Sequence, residues 1–203
     1  AIIVYIERDG TGYVPYGEMV IEANDLCYIV TSREQAWKLE ESYQMKKSRP
    51  LKRVLIIGGG KLGFQVAWKL ESQFRNLDIR LIDHNREKCE RLASELKRTL
   101  VLCGDGADES LLRQEGIEGA DGLVCATESD EANLLFAVIG KALGARKTIA
   151  VVRRKIYMKL DNYMSVDAIV NPNSALASVI LRHARYKSGA GVLSIIEKID
   201  AEM

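Results

Sequence analysis

One glycine-rich stretch decides the fold: Val54-Leu55-Ile56-Ile57-Gly58-Gly59-Gly60-Lys61-Leu62-Gly63. Its four apolar residues are continuous, as in a strand that is buried on both faces. The glycines have the spacing G-x-G-x-x-G, which is a weak signal alone and a specific one between a buried strand and a helix. The apolar residues that come next have helical spacing: Val66, Ala67, Leu70 and Phe74. The stretch therefore predicts a strand, a glycine turn and a helix.

The three glycines of this motif have different expected roles. Gly58 permits the tight turn, Gly60 lets a pyrophosphate approach the backbone, and Gly63 allows the helix to pack closely on the strand. The N-terminus of the helix offers a phosphate unpaired N–H groups and the positive end of the helix dipole. The motif therefore predicts a site for a nucleotide phosphate.

A carboxylate supports the same interpretation. Asp83 ends the next predicted strand, 20 positions after Gly63. A carboxylate there hydrogen-bonds the ribose hydroxyls of a dinucleotide and repels a 2′-phosphate, so NADP is disfavoured. The alternative is a structural glycine turn, with Asp83 capping the helix that follows.

Strands and helices alternate through the rest of the chain. The predicted strands are 54–57, 79–82, 100–102, 123–126, 149–152 and 168–170. Further helices are predicted around the apolar stripe at 89–96, at 107–115, at 129–143 after the cap Ser129, and at 174–186. A spacing of about 25 residues between strands is typical of a doubly wound parallel sheet. The fold class is therefore α/β, a Rossmann-like doubly wound sheet.

Both ends of the chain follow a different pattern. Residues 1–31 read as short strands and turns, and Ser32-Arg33-Glu34-Gln35 fits a capping box that starts a polar helix to about Gln44. The basic segment 45–50 predicts a linker. Because the chain starts without Met in an apolar run, we expect an excised piece of a longer protein. The predicted domains are a partial small α+β module, the nucleotide-binding domain and the start of a second module, at 1–49, 50–187 and 188–203.

Composition excludes several classes of function. The 203 residues include 29 Lys and Arg against 28 Asp and Glu, a balance that argues against nucleic acid as a partner. Apolar runs are far shorter than the ~18 residues of a membrane span, so we expect no direct membrane insertion. The four cysteines lack CxxC spacing and the two histidines lack ligand partners, so we expect reduced cysteines and no metal site.

Other candidate residues follow the remaining strands, where ligands of parallel sheets bind. Asp105, in Gly104-Asp105-Gly106, either contacts the adenine side of a ligand or serves only as a turn residue. Thr127 and Glu128 follow the fourth strand. Of Arg153 and Arg154, one is expected to meet phosphates and the other to be a solvated charge.

Two further groups of charges have simpler interpretations. Lys61, inside the glycine loop, can reach a terminal phosphate or the ligand of a neighbouring subunit. Asp130 and Glu131 are interpreted as favourable charges at a helix N-terminus.

The sequence lacks a catalytic set. Hydride transfer requires a proton donor or acceptor beside the nicotinamide. The one Tyr-x-x-x-Lys, Tyr43 to Lys47, precedes the glycine loop, and neither His84 nor His183 follows a strand in the second half of the sheet. We therefore expect a nucleotide sensor with no catalytic residues and no enzymatic reaction. The alternative is a fragment of an NAD-dependent oxidoreductase.

Several motifs together resemble the RCK (also called KTN) domain family of TrkA-like regulators of Trk-type potassium uptake. They are the stretch 54–63, Leu81-Ile82-Asp83, Leu102-Cys103-Gly104-Asp105-Gly106-Ala107-Asp108, Ala120-Asp121, Ala126-Thr127-Glu128-Ser129-Asp130-Glu131-Ala132-Asn133 and Val170-Asn171-Pro172. Residues 1–45 resemble the end of the family's C-terminal RCK module, with Asn24 where the pattern usually has Gly. Residues from about 190 resemble the start of a second such module.

The resemblance implies a cytoplasmic regulatory subunit, peripheral at the inner face of the cell membrane, that binds nucleotide and gates a membrane-embedded potassium transporter subunit. It implies a homo-oligomer, a dimer or tetramer, and NAD or NADH as ligand, alternatively ATP or ADP. A further alternative is the regulatory domain of another cation channel or antiporter. The implied cofactor-binding residues are Gly58, Gly60, Lys61, Leu62, Gly63, Asp83, His84, Gly104, Asp105, Thr127 and Arg153. Lys61 replaces a phosphate-binding Arg of some relatives, which weakens the case for sensing an ATP γ-phosphate.

Overall fold

The computed structural model of the chain describes residues 1–32, 35, 39, 50–161, 163–185, 195–196 and 201–202. The chain divides into two compact units, residues 1–49 with 193–203 and residues 50–192. The predicted polar helix to Gln44, the linker at 45–49 and most of 188–203 lie outside the described residues. That the two ends of the chain belong to RCK-type modules stays a prediction.

The smaller unit contains an antiparallel sheet with the strand order β2-β1-β3. Its strands are β1 (Ile2–Arg8), β2 (Thr11–Tyr13) and β3 (Leu26–Val30). Asn24 has φ 74°, a left-handed conformation that Gly adopts freely and that Asn tolerates better than most residues. Asn at this position, where the family pattern has Gly, is therefore compatible with the turn. Two short strands, Ile195–Ile196 and Ala201–Glu202, pair antiparallel in this unit.

The larger unit is built on a six-stranded parallel sheet, which confirms the predicted fold class. Its order is β6-β5-β4-β7-β8-β9. The strands are β4 (Arg53–Ile57), β5 (Asp78–Asp83), β6 (Leu100–Cys103), β7 (Gly122–Cys125), β8 (Thr148–Val151) and β9 (Ala168–Val170). The helices are α1 (Lys61–Gln73), α2 (Arg86–Glu95), α3 (Glu109–Gln114), α4 (Asp130–Ala142) and α5 (Pro172–Arg185).

Helices cover both faces of this sheet, which explains the continuous apolar run of β4. Val54 and Ile56 pack with Ala67 of α1 and Leu92 of α2 in one core cluster. Leu55 and Ile57 point the other way and join a second cluster that includes α3 and α4. These four side chains, those of residues 54–57, are each at most 4% exposed. A strand with both faces buried loses the polar alternation of a surface strand.

Three details differ from the sequence-based prediction. The last helix begins at Pro172 rather than at residue 174, because Asn171 Oδ1 caps it by accepting from Ser174 N at 3.0 Å and proline suits the first helical position. Helix α3 begins after its cap Asp108 rather than at residue 107. A 3₁₀ helix, Lys155–Leu160, links β8 to β9 and was not predicted.

Carboxylates accept hydrogen bonds at the N-terminal ends of the strands, which we call the amino edge of the sheet. Ligands of such folds bind at the opposite side, at the C-terminal ends of the strands, which we call the carboxyl edge. Asp121 accepts from the backbone nitrogens of Lys52 at 2.6 Å and Arg53 at 3.1 Å. These two bonds lead the interactions that lower the pKa of Asp121. Asp167 accepts from Thr148 N at 2.8 Å and Lys141 Nζ at 2.7 Å. Burial opposes ionisation of Asp167, yet the bonds from Lys141 and Thr148 hold its pKa at about 2.

We predict that Asp167→Asn lowers stability at neutral pH by about 1 kcal/mol, as expected for a partly exposed ion pair. The folded-state pKa of Asp167 lies below the ordinary value of 3.8, so its contribution is present above pH 3.8 and is lost as the pH falls toward 2. Urea unfolding at several pH values measures this. The two proteins should differ at pH 6 and converge near pH 2, whereas Glu90→Gln, at an exposed carboxylate, should unfold like the unsubstituted chain at every pH. A constant difference down to pH 2 would contradict the assignment.

Candidate functional site

A cavity of about 1040 Å³ lies in the larger unit, at the carboxyl ends of the sheet strands. The chain leaves β4 toward β5 on one side and returns beside β4 as β7 on the other. Loops that diverge from neighbouring strands open a crevice at such a point. Residues at or after the ends of all six strands line this cavity, so the crevice is assembled from six separate chain segments.

The glycine turn is shaped by two close approaches of the backbone. Gly58 has φ 108°, and a Cβ on it would lie 2.7 Å from backbone atoms of Ala126 and Thr127. A Cβ on Gly63 would overlap the carbonyl oxygen of Gly58. Gly63 therefore lets helix α1 start directly against the turn. It shapes the floor of the crevice and does not line it.

Gly60 differs from the other two glycines because its surroundings are open. Its φ is −70°, which any residue adopts, and no atom lies within 4 Å of the position that a Cβ would take. Gly60 lines the cavity. A side chain at residue 60 would therefore enter the crevice without straining the protein.

The N-terminus of helix α1 lacks the protection that the neighbouring helices have. Its N-cap, Gly60, provides no side-chain hydrogen bond, and its first turn carries no acidic residue. By contrast, the other three α-helices that connect strands of the sheet have side-chain caps and acidic residues in their first turns; the caps are Asn85 for α2, Asp108 for α3 and Ser129 for α4. Only α1, among these four, presents an uncapped N-terminus, and it does so at the cavity.

Asp83 connects the ends of β5 and β4. Its Oδ2 accepts from Gly59 N at 2.7 Å and its Oδ1 accepts from Asn85 N at 2.9 Å. The residue is 7% exposed and lines the cavity. Asn85, not Asp83, caps helix α2, so the capping alternative for Asp83 is wrong. A carboxylate oxygen can accept two hydrogen bonds, so each oxygen of Asp83 retains acceptor capacity toward the crevice.

Charged side chains of both signs surround the mouth of the cavity. Lys61 lines it and, among the described residues, forms no ion pair. His84 Nδ1 lies 3.7 Å from Asp83 Oδ1, and its side chain is 83% exposed. Lys88 of α2 and Glu128 after β7 form an ion pair at 3.7 Å. Because these two residues come from opposite sides of the crevice, the pair spans its mouth.

The segment after β6 forms both a turn and part of the wall. Asp105 Oδ1 accepts from Ala107 N at 2.8 Å, an interaction typical of a turn. Gly104, Asp105 and Gly106 also line the cavity. The two interpretations of Asp105 are therefore compatible, because one oxygen fixes the turn and the exposed carboxylate faces the crevice.

A buried asparagine fixes the loop after β7. Asn133 Oδ1 accepts from Thr127 N at 2.8 Å and from Thr127 Oγ1 at 2.6 Å. Its Nδ2 donates to Val151 O at 2.8 Å and Thr127 O at 3.2 Å. Asn133 is 1% exposed. One side chain therefore joins α4 to the ends of β7 and β8 and orients Thr127 at the cavity wall.

Asp130 performs a structural role beyond its charge at the helix N-terminus. Its carboxylate accepts from Arg153 N at 3.0 Å and Arg154 N at 2.9 Å. The two arginines then separate. Arg153 lines the cavity and donates to Glu128 O at 2.6 Å, whereas Arg154 pairs with Glu131 and lies over the ring of Tyr157.

The cavity thus brings together ten of the eleven residues singled out from the sequence, with Gly63 beneath them. The sequence analysis assigned no ligand-binding role to eight other lining residues: Ile57, Ile82, Lys88, Gly106, Ala126, Phe136, Val151 and Pro172. Their common signal is position, since each lies at or just after a strand end or on a crossover helix. Within the described part of the chain, no cluster of three or more potential metal ligands occurs. No helix there has the length and apolarity needed to cross a bilayer.

The model of the TrkA-N domain family matches residues 54–172. The Trk system potassium uptake protein trkA homolog 1 of Methanosarcina mazei is 37% identical over 202 residues, which are 100% of this chain and 49% of the relative. The Trk system potassium uptake protein TrkA of Vibrio alginolyticus is 32% identical over 193 residues, 95% of this chain and 41% of the relative. The chain therefore spans less than half the length of these curated relatives.

Solved structures share the fold at low sequence identity. The GsuK channel bound to NAD aligns with a TM-score of 0.60 and 21% identity, covering 93% of this chain and 33% of that chain. GsuK bound to ADP aligns with a TM-score of 0.54 and 22% identity, covering 68% of this chain and 35% of that chain. At such identities the likeness concerns the fold alone.

We predict that Asn133→Ala destabilises the chain by about 2–3 kcal/mol, because it removes the partner of the part-buried Thr127 N–H and of the buried Val151 C=O. Chemical unfolding measures the loss. Asn173→Ala is the matched control, since Asn173 is an exposed residue of α5 and alanine favours a helix. Equal stability of the two variants would show that the Asn133 bonds contribute nothing.

Proposed function

The chain belongs to the TrkA-N domain family, and from that premise we propose that its crevice binds an adenine nucleotide and that this binding regulates a potassium transport system. The bound ligand acts as a signal and undergoes no reaction. One observation carries the proposal: among the four α-helices that connect strands of the described sheet, helix α1 alone presents an uncapped, acid-free N-terminus, and it does so at the cavity. Unpaired N–H groups and the helix dipole make that end a site for phosphate.

The residues of the crevice fit such a ligand. The open space at Gly60 leaves room for a phosphate against the backbone. Lys61 lies at the start of the same helix and supplies a positive charge. The remaining acceptor capacity of Asp83 suits the two hydroxyls of an unmodified ribose, while its charge opposes a 2′-phosphate. Gly58, Leu62, His84, Gly104 and Asp105 form the wall on this side of the cavity.

The size of the crevice favours a dinucleotide over a mononucleotide. Its volume of about 1040 Å³ lies at the upper end of the range of small-molecule sites. Beyond the glycine loop, the wall continues with Thr127, Phe136, Val151 and Arg153. We therefore propose NAD or NADH as the ligand, with ATP or ADP as the alternative. GsuK, which shares the fold, has been solved bound to NAD and bound to ADP.

The absence of catalysis is also part of the proposal. In the second half of the described wall, the Thr127 hydroxyl already donates to Asn133, and the Arg153 side chain donates to the Glu128 carbonyl. Both groups are thus engaged in holding the wall in place. In this part of the wall, the Glu128 carboxylate is the group that remains available for proton transfer. If the purified protein transferred hydride to a small carbonyl compound, it would be an oxidoreductase and the proposed role as a sensor would be wrong.

Regulation requires that the ligand bind two arrangements of an assembly with different affinity. We propose a homo-oligomer that contacts a membrane-embedded potassium transporter subunit from the cytoplasmic side, without inserting into the bilayer. The curated relatives are named as Trk system potassium uptake proteins, which supports this class of partner. Nucleotide binding in the crevice then shifts the assembly between states that differ in transport.

We predict that Gly60→Asp weakens NAD or ADP binding at least about tenfold, because the new carboxylate occupies the N–H groups of α1 and repels phosphate. The same change should leave stability unchanged or raise it by a few tenths of a kcal/mol, since aspartate is a good N-cap. Calorimetric titration with NAD, NADH, ATP, ADP and NADP measures affinity, and unfolding measures stability.

The matched control is Gly17→Asp, which places the same side chain in open space at a glycine that does not line the crevice. Loss of binding together with retained stability supports the site. Unchanged affinity in Gly60→Asp would refute it. An Asp83→Ala variant is less informative, because it also removes the acceptor of Gly59 N–H.

We predict that cells carrying Gly60→Asp at the gene for this chain lose the nucleotide-dependent part of their potassium uptake, while cells with Gly17→Asp keep it. Rubidium influx at low external potassium measures uptake. Uptake that is identical in both strains, although Gly60→Asp abolishes binding in vitro, would separate nucleotide binding from transport and overturn the regulatory role.

A further inference from the structure

Two cysteines lie on one face of the sheet beside the Asp83 end of the crevice. Cys89 belongs to α2, and Cys103 ends β6, the strand that neighbours β5. In the parallel register, Cys103 is the direct partner of Asp83. Val101, two residues before Cys103, packs with the α1 and α2 cluster, so Cys103 extends toward the same side as α2.

The two thiols are hydrogen-bonded to the carbonyl groups of two consecutive residues, Asp83 and His84. Cys89 Sγ donates to Asp83 O at 3.2 Å and also lies 3.5 Å from Leu102 O. Cys103 Sγ donates to His84 O at 3.8 Å. Asp83 and His84 both line the crevice. The S–H groups therefore help to hold the segment that carries the ribose-facing carboxylate.

The members of the pair differ in their access to solvent. Cys89 is 6% exposed, whereas Cys103 is exposed to solvent. Burial, and next to it the neighbouring Cys103 thiol, raise the pKa of Cys89 to about 11. Cys89 is therefore a protonated thiol that is shielded from solvent. It lies beside the accessible Cys103, since its Sγ is 3.5 Å from the carbonyl oxygen of Leu102, the residue before Cys103. An accessible thiol beside a second thiol is the arrangement in which oxidation proceeds to a disulfide.

We propose that Cys89 and Cys103 form an oxidisable thiol pair, a modification site at which a peroxide produces a disulfide beside the crevice. The effect of this disulfide on ligand affinity rests on the proposed nucleotide-binding function, whereas its formation does not.

The reaction balances with one peroxide per pair. The Cys103 thiolate attacks one peroxide oxygen, an S–O bond forms, the O–O bond breaks, and the leaving hydroxide takes a proton to become water. The product is a sulfenic acid on Cys103. The Cys89 sulfur then attacks the Cys103 sulfur, the S–S bond forms, and the S–O bond breaks. The departing oxygen takes the Cys89 proton and leaves as a second water. The two sulfurs together lose two electrons, which the peroxide gains.

Disulfide formation changes the support of the crevice. Both S–H donors are lost, so the carbonyl groups of Asp83 and His84 lose these partners, and the end of β6 is tied to α2. Because Asp83 carries its carboxylate on the same segment, we expect the oxidised chain to bind NAD or ADP about fivefold more weakly, a typical coupling between two sites. By the same linkage, bound nucleotide disfavours the disulfide at equilibrium by the same factor.

The other two cysteines serve as internal controls. Cys125 of β7 is fully buried, and burial raises its pKa further than that of Cys89. Cys27 of β3 belongs to the smaller unit. Cys125 packs in the core cluster of Leu55 and Ile57, on the opposite face of the sheet from α2, and we expect both cysteines to stay reduced while Cys89 and Cys103 react.

The test is oxidation of the 203-residue chain with hydrogen peroxide, followed by tryptic digestion under non-reducing conditions and mass spectrometry. Cleavage after Lys88, Arg91, Arg98 and Arg113 gives one peptide from Cys89 and one from Cys103. The expected product is these two peptides joined, lighter by two hydrogen atoms and separated by a reductant. Sulfinic acid on Cys103 with Cys89 still free would overturn the proposal.

Serine variants separate the two chemical steps. Cys89→Ser should stop at a sulfenic acid on Cys103 that dimedone traps, and Cys103→Ser should leave Cys89 unmodified. Cys27→Ser is the matched control and should form the disulfide at the normal rate. Equal peroxide consumption by all three variants would contradict the pair.

Calorimetry on reduced and oxidised protein then tests the coupling. A disulfide with unchanged nucleotide affinity would overturn the coupling and leave the modification site standing. If neither form binds nucleotide, the proposed function fails, and the mass-spectrometric result remains a separate answer about the thiol pair.

Discussion

The hydrogen bond from the Gly59 N–H to the Asp83 carboxylate is the interaction on which the crevice depends. It joins the ends of two neighbouring strands through a side chain that is almost wholly buried. A buried carboxylate is costly unless its oxygens are hydrogen-bonded, and here two backbone N–H groups provide those bonds. The same bonds fix the direction in which the remaining lone pairs point. Folding and the proposed ligand recognition thus use one functional group.

Close packing of the backbone leads us to expect that the glycine turn tolerates few changes. Gly58 lies against the backbone after β7, and Gly63 lies against Gly58 itself. Side chains at those positions would push the turn away from β5 and break the bond to Asp83. Gly60 is different, because it faces open space. The motif therefore contains two glycines that pack the backbone and one that leaves room.

Polar groups at the two ends of the strands differ in how completely they are hydrogen-bonded. At the amino edge, Asp121 and Asp167 take up the backbone N–H groups at the starts of β4 and β8, together with nearby cations. At the carboxyl edge, the α1 N-terminus is uncapped and Asp83 keeps acceptor capacity. Unsatisfied groups lower stability, so a protein retains them where a ligand completes them. The amino edge stabilises the fold, and the open groups of the carboxyl edge fit the ligand that we propose.

The period of the apolar residues was sufficient to predict the sheet, its parallel sense and most helix positions. The β4 run is buried as its spacing predicted, because apolar spacing follows the faces that pack. The stripes at 66–74 and 89–96 are buried only in part, since Phe74, which follows the end of α1, is 41% exposed and Ala93 is also exposed. The 3₁₀ helix Lys155–Leu160 was missed because its six residues are too few to show a period. Asn171 as a cap, and so the start of α5 at Pro172, depended on a single side-chain bond.

The polar residues of the crevice were predictable only where a motif carries them. Glycine spacing and Asp83 are local in sequence, whereas Asn133 acts on Val151, 18 positions away, and Lys88 meets Glu128 across the mouth. Such contacts arise from the folded sheet order, which brings β5 and β7 to either side of β4. Cys89 and Cys103 belong to the same class. Each alone is an ordinary small apolar residue of its element, and only the register of β5 with β6 places both sulfurs on the Asp83 segment.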